Sequence, residues 1–246
     1  MLGDNLNFTW KHCARMEKIA ELLFSKALPS ICATATDVRT LFQSNKSFLN
    51  LMKARPDICP RAWLFGLLTA ALLGVLGLPS LRLAGVKPSL ELAGVMTTIN
   101  WFLIAIYGAC FGVAASVLRS RRHVMVSVNT LFYLSIWLVV LKLFESPALG
   151  ARFLGMVQSC SSMDYSSAVT AAIQKSQTTS ISDKLVGVGY LLFGIQLVRV
   201  HKGLHDFGWM RATAATIIGM MLLSAVVSYV QEPVIAQMIC SYASPF

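Results

Sequence analysis

The chain has 246 residues, of which 56% are hydrophobic and only 13% are charged, and its mean hydropathy is +0.65. Soluble domains usually carry about 25% charged residues, so this composition excludes an ordinary soluble domain and predicts an all-α, polytopic integral membrane protein. The net charge of +10 is concentrated before the first apolar segment and in short turns, a pattern that favours a membrane surface and not nucleic acid as the partner.

Residues 1–61 form a basic N-terminal region that predicts two consecutive amphipathic helices on the cytosolic side. The first runs from Lys11 to Leu28, because Thr9 is a suitable N-cap residue and Pro29 is expected to end the helix. At about 100° per residue, its cations fall on one side and its apolar residues on the other. The cations are Lys11, Arg15, Lys18 and Lys26, and the apolar side includes Trp10 and Phe24.

The second amphipathic helix is predicted from Val38 to about Ala54, with Thr36 or Asp37 as its N-cap. Its apolar residues recur at helical spacing, and three cations seven positions apart share its polar side. These cations are Arg39, Lys46 and Lys53.

Basic amphipathic helices with aromatic residues on the apolar side are typical of segments that lie in the surface of an anionic membrane. We therefore expect anionic lipids as partners of this region. Two alternatives remain open. One is that the apolar sides pack on each other or on the spans as an ordinary cytosolic cap. The other is that the first helix is a mitochondrial presequence, for which Glu17 and Glu21 are atypical.

Five apolar segments follow and predict a transmembrane domain at 62–232. A span needs about 20 apolar residues and rarely fewer than about 17. The first and fourth segments are therefore marginal, as short tilted spans or as hairpins that return to the same leaflet. We expect an extramembrane loop at 145–184 and a short tail at 233–246. The five segments are Ala62–Pro79, Leu92–Leu118, Val124–Phe144, Leu185–Val200 and Ala212–Val230.

The distribution of basic residues predicts the orientation of these spans. Short basic loops stay in the cytosol, and both the sequence RSRRH at 119–123 and the turn at 201–211 are basic, as is the N-terminal region. Five spans place all three segments on the cytosolic side and the tail, which has no Lys or Arg, on the other side. The sequence thus predicts a cytosolic N-terminus, in an organelle membrane or in a bacterial inner membrane.

The cysteine and histidine residues predict neither a metal site nor a cofactor. The six cysteines have no C-x-x-C spacing, and His201 and His205 are interpreted as residues of a cytosolic turn, because no further ligands accompany them. In the five-span topology, Cys160 and Cys240 are the two cysteines on the outer side. They are candidates for a disulfide in an oxidising compartment, although two free thiols are the simpler interpretation.

Polar residues in the spans form no catalytic constellation. Near the end of the third segment, Lys142 and Glu145 predict either an intramembrane ion pair or, as the preferred interpretation, a lysine that reaches the interface. The amides Asn100, Asn129 and Gln196 are expected to bridge helices. No nucleophile beside a base and no paired carboxylates are visible, so we expect a protein that is not an enzyme.

Small residues in the spans predict close helix packing. Gly108 and Gly112 are four positions apart in the second segment, and Gly194 lies in the fourth. Glycines at such positions let helices approach closely, within one chain or between copies. We therefore expect a homo-oligomer.

Three stretches resemble the peroxisomal membrane-elongation proteins of the peroxin-eleven type. RMEKIAELLFSKAL and VRTLFQSNKSFLNLMKA are similar to the two amphipathic helices of that family, and GMMLLSAVVSYVQ is similar to its closing segment. The chain departs from the family at its Gly-Arg-Asp-Lys core, where it has Ala14-Arg15-Met16-Glu17, and five spans would put its termini on opposite sides, whereas that family has both in the cytosol. The resemblance implies insertion of amphipathic helices into the cytosolic leaflet, self-association and membrane elongation before division.

A second stretch, FGIQLVRVHKGLHDFGWMRA, resembles the Yip-type trafficking proteins, which have a cytosolic N-terminus and five spans. The sequence as a whole predicts a non-catalytic protein that organises or remodels a membrane. The alternative is a pore-lining subunit of a transport or secretion complex, whose water-accessible path would be lined by Asn100, Asn129 or Gln196. A third interpretation is an accessory subunit of a larger membrane complex.

Overall fold

The fold consists of α-helices in the part of the chain that this computed structural model describes, residues 28–55, 57–160 and 177–242. These residues fall into two compact units, one ending at Phe48 and the other beginning at Leu49. Each of the described helices that is long and apolar enough to cross a membrane belongs to the second unit. The prediction of an all-α, polytopic architecture is therefore confirmed.

The described part of the N-terminal region forms two helices, and nearly all of the first predicted helix, Lys11–Leu28, lies outside the described residues. Helix α1 spans Leu28–Gln43 and helix α2 spans Asn45–Lys53. The residues after Pro29 are therefore helical and do not form a linker, and the predicted second helix is interrupted at Ser44. The Oγ atom of Ser44 accepts a hydrogen bond from the backbone N–H of Ser47 at 3.3 Å, so Ser44 is the N-cap of α2.

The first two spans form a helical hairpin. Helix α3 spans Pro60–Leu83 and helix α4 spans Leu90–Val117, with 24 and 28 residues. Pro60 is compatible with the start of α3 because its missing N–H would have no partner in the first turn. At the start of α4, the hydroxyl oxygen of Ser89 accepts a hydrogen bond from the N–H of Leu92 at 3.0 Å. The first segment, marginal by its apolar length, is thus long enough to cross a bilayer.

The third span is bent. Helices α5 (Val124–Leu134) and α6 (Ile136–Ser159) meet at Ser135, where the chain bends by 46°. The hydroxyl of Ser135 donates a hydrogen bond to the backbone carbonyl of Phe132 at 2.6 Å and lies 2.6 Å from Oγ1 of Thr69 on α3. A serine that bonds back to the preceding turn favours a bend. Because α6 continues to Ser159, the first part of the predicted loop at 145–184 is helical.

The last two spans are longer than predicted. Helix α7 spans Gln177–Leu204. Helix α8 (Trp209–Val226) continues through a π-helical turn (Val227–Gln231) into α9 (Glu232–Tyr242). The last three elements form one continuous helix of 34 residues, which at 1.5 Å per residue is about 51 Å long. The predicted tail at 233–246 is therefore helical as far as Tyr242.

Four helices have the length and hydropathy of a span, and the bent pair α5–α6 makes a fifth if it is counted as one. In α7 and in the helix from Trp209 to Tyr242, only 17% of the apolar stretch that could cross the membrane is buried within the described protein. Most of the apolar surface of these two spans is therefore available to lipid, as expected for the outer helices of a membrane bundle.

One end of the bundle, here called the basic end, joins three basic segments through a single carboxylate. Asp206, in the turn after α7, lies with Oδ1 2.5 Å from Nζ of Lys53 and with Oδ2 3.4 Å from Nη2 of Arg122. Lys53 ends α2, and Arg122 lies in the RSRRH turn between α4 and α5. Three segments that the sequence places on one side of the membrane thus lie at one end of the bundle.

The opposite end, here called the disulfide end, is held by a bond between Cys160 and Cys240. A hydrophobic cluster packs beneath it and joins the end of α3, the start of α4, the second half of α6 and α9, with Leu81, Leu92 and Ile239 among its fully buried members. The bond and the cluster together hold α6 and α9 side by side at this end.

Glycines allow α4 to approach α5 closely. A Cβ atom added to Gly108 would lie 2.6 Å from Cα of Val128, and one added to Gly112 would lie 3.0 Å from Cα of Val124. Both glycines therefore lie at a helix–helix contact, as their spacing predicts. An added Cβ at Gly194 has no heavy atom of the described chain within 4 Å, so Gly194 packs there against no other helix among the described residues.

We expect Gly108→Ala to destabilise the protein and Gly194→Ala to leave its stability unchanged or slightly higher. The methyl group at 108 meets backbone, which cannot move away as a side-chain end can, and overpacking of this kind costs about 1–3 kcal/mol. At 194 the methyl group meets nothing in the described chain, and alanine favours a helix over glycine by about 1 kcal/mol. The thermal unfolding midpoint of each purified variant in detergent is the measurement, and equal midpoints for the two variants would contradict this packing.

Asp206 should stabilise the fold in a pH-dependent manner. The hydrogen bond from Lys53 holds the pKa of Asp206 below its usual value. A carboxyl group with a lower pKa in the folded protein stabilises it above the unfolded pKa of about 4, and this stabilisation is lost as the pH falls through the lowered pKa. Asp206 has a φ of 56°, which asparagine also adopts, so Asp206→Asn removes the charge and keeps the backbone conformation.

At pH 7 we expect wild-type protein to exceed Asp206→Asn by at most about 1 kcal/mol, because the Asp206 side chain is 63% exposed and exposed ion pairs are screened by water. The difference should shrink at high salt and should also shrink as the pH falls below about 4 toward the lowered pKa of Asp206. Unfolding curves of both proteins between pH 7 and 3 measure this, and a difference that is independent of pH would show that the carboxylate is not the cause.

Candidate functional site

A cavity of about 560 Å³ lies within the helical bundle. Its wall is formed mainly by α4 and α6, with two residues each from α7, α8, the π-helical turn and the start of α9, and one each from α3 and α5. Most of the wall is apolar, including Leu103, Phe111 and Leu131. The volume falls within the range of about 300–1,000 Å³ that small-molecule sites occupy, and such sites combine an apolar wall with a few polar groups.

Three charged side chains of α6 share this wall. Lys142, Glu145 and Arg152 are separated by three and seven positions, which places them on one face of the helix. The carboxylate of Glu145 lies between the two cations, with Oε2 3.7 Å from Nζ of Lys142 and Oε1 bonded to Nη1 of Arg152. The structure therefore shows the ion pair that the sequence offered as one of two interpretations.

The two cations keep hydrogen-bonding capacity. Within the described ranges, Glu145 is the one partner of the Lys142 ammonium group, and their separation of 3.7 Å is longer than a hydrogen bond. The Arg152 guanidinium has five N–H donors, of which Glu145 takes one. One carboxylate between two cations also leaves the α6 cluster with a net positive charge.

The π-helical turn also contributes polar groups to the cavity wall. The hydroxyl of Tyr107 on α4 donates a hydrogen bond to Oε1 of Gln231, the last residue of that turn. Glu232 follows directly, is exposed, and also lines the cavity. Single π-helical turns within α-helices occur frequently at functional sites, and this turn brings Gln231 and Glu232 to the cavity wall.

The three amides proposed for a polar path do not lie together. Asn100 lines the cavity. Asn129 is fully buried elsewhere, where its Nδ2 donates to the carbonyl of Asp57 at 2.7 Å and its Oδ1 accepts from the N–H of Cys59 at 3.4 Å. Gln196 is half-buried on α7 and does not line the cavity. Asn129 thus fixes the chain before α3, and only Asn100 belongs to the candidate site.

Of the residues predicted to bind a membrane surface, several lie outside the described residues. They are Trp10, Lys11, Arg15, Lys18, Phe24 and Lys26. Arg39 and Lys46 are exposed, as the prediction requires. Lys53 is not free for lipid, because it binds Asp206.

The apolar side of α2 also differs from its predicted role in lipid. Leu49 and Met52 are buried, with exposed fractions of 5% and 0%. Leu49 packs on α7, where a Cβ atom added to Gly203 would lie 2.3 Å from its Cδ1. The periodicity of an amphipathic helix is the same whether protein or lipid covers its apolar side, so the pattern alone did not distinguish the two, and for this part of α2 the interpretation as a cap is correct.

The predicted disulfide candidates, Cys160 and Cys240, are joined in the structure, and the interpretation as two free thiols does not hold. The bond connects the end of α6 to α9, two helices that both contribute residues to the cavity wall. Cys32, Cys59 and Cys110 are free cysteines of the described chain. The disulfide therefore fixes the separation of two cavity-lining helices.

His201 lies in the last turn of α7 and His205 in the turn that follows, and both side chains are buried. Nδ1 of His201 lies 3.0 Å from Oγ1 of Thr216, and the two ring nitrogens of His205 lie 2.8 and 3.1 Å from Oγ of Ser120 and Ser127. Burial lowers the pKa of His205 to about 4, so that its ring is neutral at pH 7. The described ranges contain no group of three or more His, Cys, Asp or Glu residues that could hold a metal ion.

Arg152 was missed as a member of the α6 cluster because the third apolar segment ends at Phe144, which assigned this residue to a loop, whereas the pair of Lys142 and Glu145 was one of the two interpretations of the sequence. The signal that could have revealed it is the helical spacing of the three charges, which continues the face of Lys142 beyond the apolar segment.

Comparison of the chain with protein-family models, with curated proteins and with solved structures finds no match.

Proposed function

We propose that this chain is a non-enzymatic integral membrane protein that admits a charged small molecule into its helical bundle, as a subunit of a transport or channel system does. The observation that supports this proposal is the placement of Lys142, Glu145 and Arg152 on the wall of the 560 Å³ cavity. This is the alternative that the polar residues of the spans offered in the sequence.

The position of Lys142 and Glu145 within a span supports a role in binding. Lys142 and Glu145 belong to the last turn of the spanning part of α5–α6, and their side chains are only 22% and 16% exposed. Ionisable residues within spans are costly to bury and usually mark a pathway or a binding site. Packing of α6 on α9 is already secured by the disulfide and the hydrophobic cluster, so we assign the charges to a ligand and not to the fold.

The proposal predicts that the cavity is accessible from water. A cysteine in place of Asn100 or Tyr107 should react with a membrane-impermeant thiol reagent, because both side chains line the cavity. Gln196→Cys is the control, since this residue lies on a span but does not line the cavity. The measurement is the modified fraction of each cysteine-containing peptide by mass spectrometry, with the protein in membranes.

Modification of Asn100→Cys and Tyr107→Cys well above that of Gln196→Cys is the expected result. If all three cysteines are equally unreactive, no solute reaches the cavity from water and the proposed function is wrong.

Membrane organisation is the second candidate function, and exposed Arg39 and Lys46 together with the basic pattern at 11–27 favour it. In this proposal anionic lipids and further copies of the chain are the partners, and a peroxisome-like organelle membrane is the site. Because Leu49 and Met52 are buried, insertion into lipid would fall to the segment before α1.

Replacement of Lys11, Arg15, Lys18 and Lys26 by Gln in the full chain tests this second candidate. When wild-type protein is reconstituted in vesicles with acidic lipids, we expect tubulation or clustering that the variant lacks, because each cation near such a surface contributes about 1 kcal/mol. Equal vesicle shapes for both proteins by electron microscopy would exclude this role of the four cations.

A further inference from the structure

We propose that the cavity binds a phospholipid-like amphiphile with a zwitterionic headgroup, whose phosphate lies against Lys142 and Arg152 and whose ammonium group lies against Glu232. The inference names the ligand class for the cavity of the proposed transport role, and it rests on that proposal.

The distribution of polar and apolar groups along the cavity matches an amphiphile. Lys142 and Glu145 lie at the end of the bent span that faces the disulfide end, which is the level of a membrane interface. Leu131, on the same span, also lines the cavity and precedes Lys142 by eleven positions, or about 16 Å along a helix. An acyl chain can extend along this apolar wall while its headgroup stays at the charged end.

The cationic side of the wall suits a phosphate. The Lys142 ammonium group has no hydrogen bond to another group of the described chain, and Arg152 uses only one of its donors on Glu145. Guanidinium groups bind phosphate oxygens through paired hydrogen bonds, and lysine binds them as a point charge. Both side chains therefore keep donors for one phosphate group.

The acidic side of the wall decides between an anionic and a zwitterionic ligand. Glu232 lines the cavity and is exposed, and it has neither an ion pair nor a hydrogen bond among the side chains that the structure describes. With Glu232 included, two cations and two carboxylates share the wall. A ligand with a single negative charge would leave Glu232 without a partner and repel it, whereas a headgroup with both signs pairs each free group.

The headgroup end is open for exchange with the surroundings. The Arg152 side chain is 38% exposed, and Glu232 is exposed as well, so both can be reached from outside the bundle. Lys142, in contrast, is largely covered. A headgroup can therefore enter past Arg152 and Glu232 before its phosphate reaches Lys142.

Binding of single-chain phospholipids to the purified full chain tests this inference. In a detergent without phosphate, intrinsic tryptophan fluorescence is titrated with lysophosphatidylethanolamine, with lysophosphatidic acid, and with phosphoethanolamine, which is the headgroup alone. We expect the first to bind more tightly than the second, and the headgroup alone to bind at least ten-fold more weakly than the first.

Two variants separate the two halves of the headgroup. Glu232→Gln should weaken lysophosphatidylethanolamine about five-fold, as expected for one partly exposed ion pair, and should leave lysophosphatidic acid unchanged or tighter. Lys142→Met should weaken both. Asp183→Asn is the matched control, because Asp183 is an exposed carboxylate of α7 that does not line the cavity, and it should bind all ligands as wild type does.

The inference fails if wild-type protein binds lysophosphatidic acid as tightly as lysophosphatidylethanolamine, if Glu232→Gln behaves like Asp183→Asn, or if phosphoethanolamine binds as tightly as the full amphiphile. If Lys142→Met does not fold, the exposed Glu232→Gln still decides. A cavity that reacts with thiol reagents in Asn100→Cys but binds no lysophospholipid refutes this inference alone, whereas an unreactive cavity refutes the proposed function as well.

Discussion

The carboxylate of Glu145 lies between Lys142 and Arg152, and this arrangement makes a charged cavity compatible with a membrane-spanning bundle. An unpaired charge removed from water costs several kcal/mol, so the largely covered Lys142 requires a counter-charge, whereas Arg152 is partly exposed to solvent. One carboxylate shared by two cations meets this requirement and still leaves donors unused. The proposed ligand site consists of those unused donors together with Glu232 on the facing helix.

Contacts elsewhere in the fold determine where the charged side chains of the cavity wall lie. The glycines of α4 let α5 approach it closely. The bend at Ser135 then gives α6 a different direction from α5, and α6 packs on α3. At the disulfide end, the bond between Cys160 and Cys240 and the cluster around Ile239 hold α9 against α6. The cavity lies between this clamp and the close packing at Gly108.

The spans, the packing glycines at 108 and 112 and the grouping of basic turns could be predicted because each has a local signal, which is apolar length, spacing or charge. The cavity could not, since Lys142, Glu145 and Arg152 meet Gln231 and Glu232 only through tertiary packing of helices far apart in sequence. The role of Leu49 was mistaken for a related reason: its periodicity requires an apolar partner but does not say whether that partner is lipid or α7. The break at Ser44, in contrast, follows from a cap signal that was present in the sequence.

A double-mutant cycle between Glu145 and Arg152 tests the central claim most directly. The free energy of unfolding in detergent is measured for wild type, Glu145→Gln, Arg152→Gln and the double variant. If the cavity charges depend on one another, the double variant will be more stable than the sum of the single effects predicts, with a coupling energy of about 1–3 kcal/mol. Single effects that simply add, with no coupling, would show that the two groups do not interact, and would contradict the charged cavity on which this account rests.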